Sequence, residues 1–342
     1  MAARLNALWV TNLWPDDERP GQGSFIYSQA QSLIAAGVAI DVLHMPGYRS
    51  RAEYARGVRE LRRHLGRSAY DVVHAHFGYS AVVAETQRRH PVVISYLGAD
   101  LLGQPAATGG RTWPSRALAA VSAQAARLAD ATITKSAEME LRLPAACRSR
   151  NHVVPNGVDL DVFRPVDQAE ALAALGWDPA DLNVLFVGNP DLPRKNLAFA
   201  REVCAELERR GRRVALRIAF GRPPADMPLM MSAATCLLFP SLSEGSPNTV
   251  KEAMAMTLPV VSTRVGDTVE RLTGVRGCYL IDLDVGEAAD AVESAAADGR
   301  VPEAREAVSG LAIATVAERV IGVYEEAIAR RQRIRRGTAG RS

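Results

Sequence analysis

Glu244 and Glu252 stand eight positions apart, on either side of a Gly-Ser-Pro-Asn turn in SEGSPNTVKEAMAM, residues 243–256. The turn follows an apolar run, TCLLFP (235–240), and opens a helical pattern with Pro247 placed to suit its first turn. The N–H groups of Asn248, Thr249 and Val250 would have no partner within such a helix, and the helix dipole adds partial positive charge there. That combination suits an anion such as a diphosphate. Glu244, ahead of the junction, can reach a sugar hydroxyl, and Glu252, about one and a half helical turns further on, can reach a second polar group. A carboxylate can accept from both hydroxyls of a ribose edge. The plainer alternative is a helix-start charge and a surface charge, and this stretch taken alone favours it.

A second candidate follows the first apolar run. TNLWPDDERPGQGSFIYSQAQSLIAAG (11–37) holds a long loop that ends in Gly21 and Gly23, before a helix beginning near Ser24. Glycine lets backbone approach a ligand closely, so a phosphate or a purely structural turn fits equally well. The spacing is not G-x-G-x-x-G, and no acidic residue follows the second strand at the expected place, which weakens a nicotinamide reading. His74 and His76 alternate on one strand and share a face. Without a third ligand nearby, hydrogen bonding in the core or a cleft is favoured over a metal.

These residues need a frame. Short apolar runs alternate with helical patterns along all 342 residues, the signature of parallel strands joined by crossover helices. Strands are predicted at 5–11, 39–45, 71–77, 91–97, 131–135 and 151–156, then again at 183–188, 214–220, 235–240, 258–264 and 277–282. Helices are predicted near 24–36, 51–65, 79–89, 114–129 and 136–142, then near 196–210, 226–232, 247–256 and 286–297. Two doubly wound α/β domains follow, matching a length prior of about 100–200 residues per domain. Residues 1–164 form the first and 165–311 the second, with the boundary near Phe163 to Val166 in an Asp-, Pro- and Gly-rich stretch that reads as a connection. A final helix, 312–335, carries an apolar stripe at Ala314, Ala317, Val320, Ile321, Tyr324 and Ile328 and packs back on the first domain; beyond Arg330 it is expected to fray.

A net charge of +3 excludes the global basic excess typical of nucleic-acid binders. Cys147, Cys204, Cys236 and Cys278 are scattered, without metal-ligand spacing, and read as buried thiols in a reducing cytosol. The N-terminus lacks a signal-peptide pattern, and no run of about 18 apolar residues follows, so a cytoplasmic protein is expected.

The motifs in order carry a resemblance. SEGSPNTVKEAMAMTLPVVSTRVGD is similar to the E-x₇-E segment of retaining glycosyltransferases of sequence family 4, followed by their strand and Gly turn. The first Gly loop and helix, DVVHAHFG, VVPNGVD and LFVGNPDLPRKN also resemble family segments, so the likeness covers nearly the whole chain. It implies the GT-B fold, two facing Rossmann-like domains with a cleft between them. It implies a nucleoside diphosphate sugar as donor, a UDP-sugar foremost, a hydroxyl acceptor such as a glycan, lipid-linked glycan or small molecule, and no metal cofactor.

Carried over residue by residue, the resemblance makes Glu252 the ribose ligand and Glu244 a partner of the donor sugar's hydroxyls. Ser246, Pro247, Asn248 and Thr249 would offer backbone contacts to sugar and diphosphate. Lys195 would neutralise the departing diphosphate, with Arg194 assisting. Phe220, Gly221 and Arg222 would flank the base, and Gly23 would let its loop close over the phosphate. Ser24, His76, Leu97 and Asp100 are assigned to the acceptor side or the cleft, with capping of the next helix an equally good alternative for Asp100. Acceptor recognition would fall to loops 12–24, 46–52 and 100–114.

Two positions depart from the family pattern. Leu97 stands where many members carry a histidine that contacts the donor sugar, and Asn189 where an arginine commonly joins the lysine. They motivate an alternative, a non-catalytic GT-B nucleotide- or glycan-binding protein; an epimerase or phosphorylase on the same fold has no discriminating residue here. YRSRAEYARGVRELRRHLGR (48–67) holds seven arginines and an apolar stripe. Such a helix can dock on anionic lipid at the inner membrane face, but an ordinary crossover helix is favoured, since one is needed there.

Overall fold

The computed structural model describes residues 4–15, 23–47, 49–50, 52–103 and 112–339, without the side chains at 224, 338 and 339. Gly21 and parts of the three expected acceptor loops lie outside the described residues.

The apolar runs form two parallel sheets. The first holds β1 (Leu5–Thr11), β2 (Val38–His44), β3 (Val72–His76), β4 (Val92–Ser95), β5 (Ala131–Thr134) and β6 (Asn151–Val153), in the order β2-β1-β3-β4-β5-β6. The second holds β7 (Leu182–Val187), β8 (Val214–Ala219), β9 (Cys236–Phe239), β10 (Val260–Thr263) and β11 (Cys278–Ile281), in the order β11-β10-β9-β7-β8. Crossover helices cover both faces of such sheets, so β3, β4, β5, β9 and β10 are buried end to end. Alternation along β1 sends Ala7 and Trp9 into one apolar cluster and Leu8 and Val10 into another. Strand β9 does the same with Cys236 and Leu238 against Leu237 and Phe239. The expected doubly wound α/β architecture is borne out.

The chain divides into two compact units. One comprises the described parts of Met1–Gly103 and Ile313–Ser342 with Thr112–Gly157; the other includes Val158–Ala312. The division at Gly157 falls several residues before the expected boundary. Val158 donates its N–H to the Leu311 carbonyl at 2.9 Å and bridges to Ala312, which ties the connection to the second unit from its first residue.

Two helical readings need correction. Gln168–Leu175 is a helix inside the stretch read as connection: the Asp167 side chain accepts from the Glu170 N–H, and Gly176 closes the other end in the left-handed conformation. The residues that looked like linker composition are its caps. The last helix, Ile313–Ala339, does not stop near Arg330, because Arg331 reaches the buried Asp130 carboxylate at 2.6 Å. Its buried stripe runs through Val316, Ala317, Val320, Ile321, Tyr324 and Ala327, while Ala314 is exposed.

The Arg-rich helix, Ala52–Arg67, buries Leu61 and packs Tyr54, Val58 and Leu65 on the core, leaving Arg56, Arg59, Arg62, Arg63 and Arg67 exposed. Cys147, Cys204 and Cys236 are buried and Cys278 half-buried, all as free thiols. Among the described residues, no helix is long and apolar enough to cross a membrane.

Candidate functional site

In an open parallel sheet, ligands bind beyond the carboxyl ends of the strands where the strand order reverses. In the second sheet β7 lies between β8 and β9, so the loops after β7 and β9 leave the reversal point in opposite directions. Lys195 and Arg194 sit on the loop after β7, in a short 3₁₀ turn, Pro193–Lys195. Glu244 sits on the loop after β9.

Here the side chains meet. Oε1 of Glu244 accepts from Arg194 Nη1 at 2.6 Å, from Lys195 Nζ at 2.7 Å and from Ser241 Oγ at 3.2 Å. The Leu242 N–H donates to the Arg194 carbonyl at 2.8 Å, joining the two loops by their backbones. Lys195 Nζ also lies 5.0 Å from the centre of the Phe239 ring, a cation–π contact. Burial holds the Lys195 ammonium below its usual range; Glu244 pulls it back up and Arg194 pushes it down. One carboxylate balances one of two cations, and the remaining positive charge suits an anion. Gly188, at φ 150°, leaves room for the Lys195 stem, which a Cβ there would approach to 3.1 Å.

Beyond Glu244 the turn is held from beneath. Gly266, at φ 58°, lets the VGD turn press against it; a Cβ there would stand 2.6 Å from the Gly245 carbonyl oxygen. Ser246 Oγ donates to Asp267 Oδ2 at 2.8 Å and accepts from Lys251 Nζ at 2.9 Å. The helix that follows is Asn248–Ala255 with Pro247 as its N-cap residue, so it starts one position later than the sequence suggested. Asn248 and Thr249 are partly exposed at its first turn. Glu252 is partly exposed on the same helix, and no described group donates to its carboxylate; its packed surroundings push it up to about 7.

The remaining candidates of this unit take other places. Phe220, Gly221 and Arg222 are exposed just after β8, with Gly221 at φ 68°. Asn189 turns back on its own loop: its Oδ1 accepts from the Asp191 N–H at 2.9 Å. It supplies no cation. Sequence reasoning passed over Ser241, Lys251, Gly266 and Asp267. The Thr268 hydroxyl orders the VGD turn, accepting from Val265 N–H and donating to the Thr263 carbonyl, while Glu270 beside it is exposed. A small hydroxyl beside an acidic residue after V-G was the available signal.

In the first unit, Gly23 caps the helix Ser24–Ala35 at φ 76°, and a Cβ there would meet the Leu13 carbonyl carbon at 2.7 Å. Ser24 is exposed at the first helical position. Asp100 is fully buried: its Oδ1 accepts from the Leu97 and Gly98 N–H groups, both at 2.9 Å, and burial pushes the carboxyl up to about 6. It orders its own turn, with Leu97 half-buried beside it. His76 is fully buried, stacked on Trp9 and His74 with ring centres 4.2 and 4.0 Å away. Neither of its ring nitrogens has a hydrogen-bond partner among the described residues. Among those residues no group of three or more His, Cys, Asp and Glu could hold a metal ion.

Comparison with known proteins agrees along most of the chain. Residues 15–162 match the family model for Glycosyltransferase Family 4, and 167–298 that for Glycosyl transferases group 1. A D-inositol 3-phosphate glycosyltransferase of Mycobacterium sp. (strain JLS) is 32% identical over 273 residues, covering 70% of this chain and 62% of the relative. One from Mycobacterium tuberculosis (strain ATCC 25177 / H37Ra) is 29% identical over 295 residues, covering 76% and 57%. The chain thus spans about three-fifths of the length of these curated relatives. Among solved structures, sucrose-phosphate synthase from Thermosynechococcus elongatus superposes with a TM-score of 0.77 at 18% identity, covering 95% of this chain and 99% of that one. Anabaena HepE in complex with UDP and glucose gives 0.70 at 16%, covering 94% and 100%. At such identities the likeness shows the fold, which is GT-B.

Proposed function

We propose, because the chain belongs to the family 4 glycosyltransferases, that it transfers a sugar from a nucleoside diphosphate sugar, foremost a UDP-sugar, to a hydroxyl acceptor. The observation that carries this reading is the convergence of Lys195 and Arg194 on Glu244, four residues ahead of a helix N-terminus. The diphosphate is assigned to the surplus positive charge of that cluster and to the first turn of Asn248–Ala255, the donor sugar's hydroxyls to Glu244, and the ribose to Glu252. The base is assigned to the exposed segment 220–222.

The reaction is read as proceeding with retention. The bond from the anomeric carbon to the β-phosphate oxygen breaks, with its electron pair passing to the phosphate. The acceptor oxygen bonds to the same carbon from the same face and gives its proton to the departing phosphate. Lys195 and Arg194 stabilise the charge that develops on that phosphate, so no metal is assigned to this step. Acceptor recognition is assigned to the first unit. A phosphorylated cyclitol is a first acceptor to try, since inositol 3-phosphate appears in the names of the relatives. The reading places the protein in the cytoplasm.

The test is a thermal-shift panel of UDP, GDP, ADP and TDP with their sugars, because a ligand that binds the folded state raises its melting temperature. UDP and a UDP-sugar are expected to give the largest shifts. Nucleotide release from the shifting donor then separates an enzyme from the alternative that Leu97 and Asn189 motivate, which would bind without turnover across an acceptor panel. No shift with any of the nucleotides would overturn the donor assignment.

A further inference from the structure

Lys251 faces inward on the helix Asn248–Ala255 and is 1% exposed. Burying an ammonium costs several kcal/mol unless it is paired and hydrogen-bonded, so a lysine where a leucine would pack calls for a reason. Its Nζ donates to Ser246 Oγ at 2.9 Å, and that hydroxyl donates to Asp267 Oδ2 at 2.8 Å. Arg271 Nε reaches the same oxygen at 3.3 Å. The four groups form a chain from ammonium through hydroxyl and carboxylate to guanidinium. It runs from the interior of one helix, through the turn that carries Glu244, to the start of the next helix, Thr268–Leu272.

We propose that Lys251 is a positioning residue for donor binding: its ammonium fixes the Ser246 hydroxyl and so sets the turn between Glu244 and Asn248 against Asp267. The proposal rests on the donor reading above. The turn is clamped from two sides by independent means, hydrogen bonds at Ser246 and the side-chain-free approach of Gly266 at Gly245. Without the ammonium, Ser246 keeps Asp267 as its partner, and the buried Asp267 carboxylate keeps Ser246 and Arg271 but loses the charge of the lysine. The turn then loses its register relative to the helix N-terminus, and a diphosphate that needs both at once binds less well.

A protonation signature separates this role from simple packing. Burial pushes Lys251 down to about 8; Asp267 and Glu252 pull it up and Arg271 pushes it down. Above that value the hydrogen bond to Ser246 loses its charge assistance.

The experiment uses the full chain, with Lys251→Met, Ser246→Ala and Glu252→Ala, titrated calorimetrically with UDP, GDP, ADP and TDP at pH 7 and pH 9.5. Lys251→Met is expected to weaken binding at pH 7 by about tenfold or more, the loss of one charge-assisted contact. Ser246→Ala should share that loss, and the double variant should add little. The ratio of wild-type to Lys251→Met affinity should fall towards one by pH 9.5. If Glu252→Ala abolishes binding while Lys251→Met and Ser246→Ala bind like wild type, the positioning role is overturned and the donor reading stands. Nucleotide binding unaffected by Glu252→Ala, or absent in the wild type, overturns the donor reading itself. Should Lys251→Met fail to fold, Ser246→Ala and the wild-type pH series decide: unchanged affinity in the first, with no fall above pH 8 in the second, overturns the proposal.

Discussion

The hydroxyl of Tyr324 lies 2.6 Å from Nδ1 of His74, although 250 positions separate them. Trp9 Nε1 donates to the same hydroxyl at 3.1 Å, and the other ring nitrogen of His74, Nε2, is hydrogen-bonded to Ser95 Oγ at 2.7 Å. The last helix is therefore keyed into the first sheet by a satisfied buried network as well as by its apolar stripe. Tyr324→Phe keeps the ring but orphans two buried groups. It should destabilise the first unit by about 2–3 kcal/mol, on the scale of unsatisfied buried polar groups, measured as a lower urea midpoint. An unchanged midpoint would show that the network carries no stability.

The two histidines also set a pH limit. Burial first, then for His76 the neighbouring His74, and for both the charge of Lys135 hold the two well below the usual imidazole range. The unfolded chain binds protons near pH 6.5, whereas the folded chain does not. Below that pH the unfolded state thus holds more protons and gains. The histidines' own contribution to stability should be complete above about pH 6.5 and fall below it, at about 1.4 kcal/mol per pH unit for each, while the raised carboxyls of Glu252 and Asp100 act in the opposite sense. The difference in urea midpoint between the wild type and His76→Asn, followed from pH 7.5 to 5.0, isolates this contribution. On acidification His76→Asn should lose less stability than the wild type, and an equal pH dependence of the two would contradict the assignment.

Much of this architecture was visible in the sequence because strands of a covered parallel sheet must be apolar along their whole length. The run 5–11 matches β1 residue for residue. Hidden were features that depend on a distant partner or on a cap read as a break. The helix Gln168–Leu175 went unseen because Asp167 and Gly176, its caps, also look like linker. The role of Asp100 was open because a buried carboxylate on its own turn and one facing a cleft have the same local sequence. The lysines held an unused signal. Lys135, Lys195 and Lys251 are the three in the chain, and each is largely buried, while arginine serves the surface.

Lys195 and Arg194 share one carboxylate but differ in exposure, 14% against 33% of the side chain. The more buried charge is felt more strongly at a developing phosphate. Lys195→Ala should lower kcat by about a hundredfold or more, on the scale of removing one preorganised electrostatic donor. Arg194→Ala should cost about tenfold and mostly in KM for the donor. Steady-state kinetics with the donor found in the panel measures both, and the reverse order of effects would move the main diphosphate contact to Arg194.

Glu252 sets ligand binding against stability. Its carboxyl is pushed up to about 7 by burial, with Lys251 pulling it down, so the folded chain holds a proton that the unfolded chain has already released between about pH 4.5 and 7. Its contribution to stability must therefore decline through that window as pH rises, and the cost is fully present above it. Glu252→Gln removes the charge and keeps the shape. At pH 8 it should melt above the wild type, and at pH 4.5 the two should melt alike. The same substitution exchanges an acceptor-only group for an amide that cannot accept from both hydroxyls of a ribose edge, so nucleoside diphosphate affinity should fall by about tenfold or more at pH 8. Differential scanning calorimetry and titration calorimetry read the two effects separately. A variant that gains stability without losing affinity would leave the burial argument intact and remove Glu252 from the binding site.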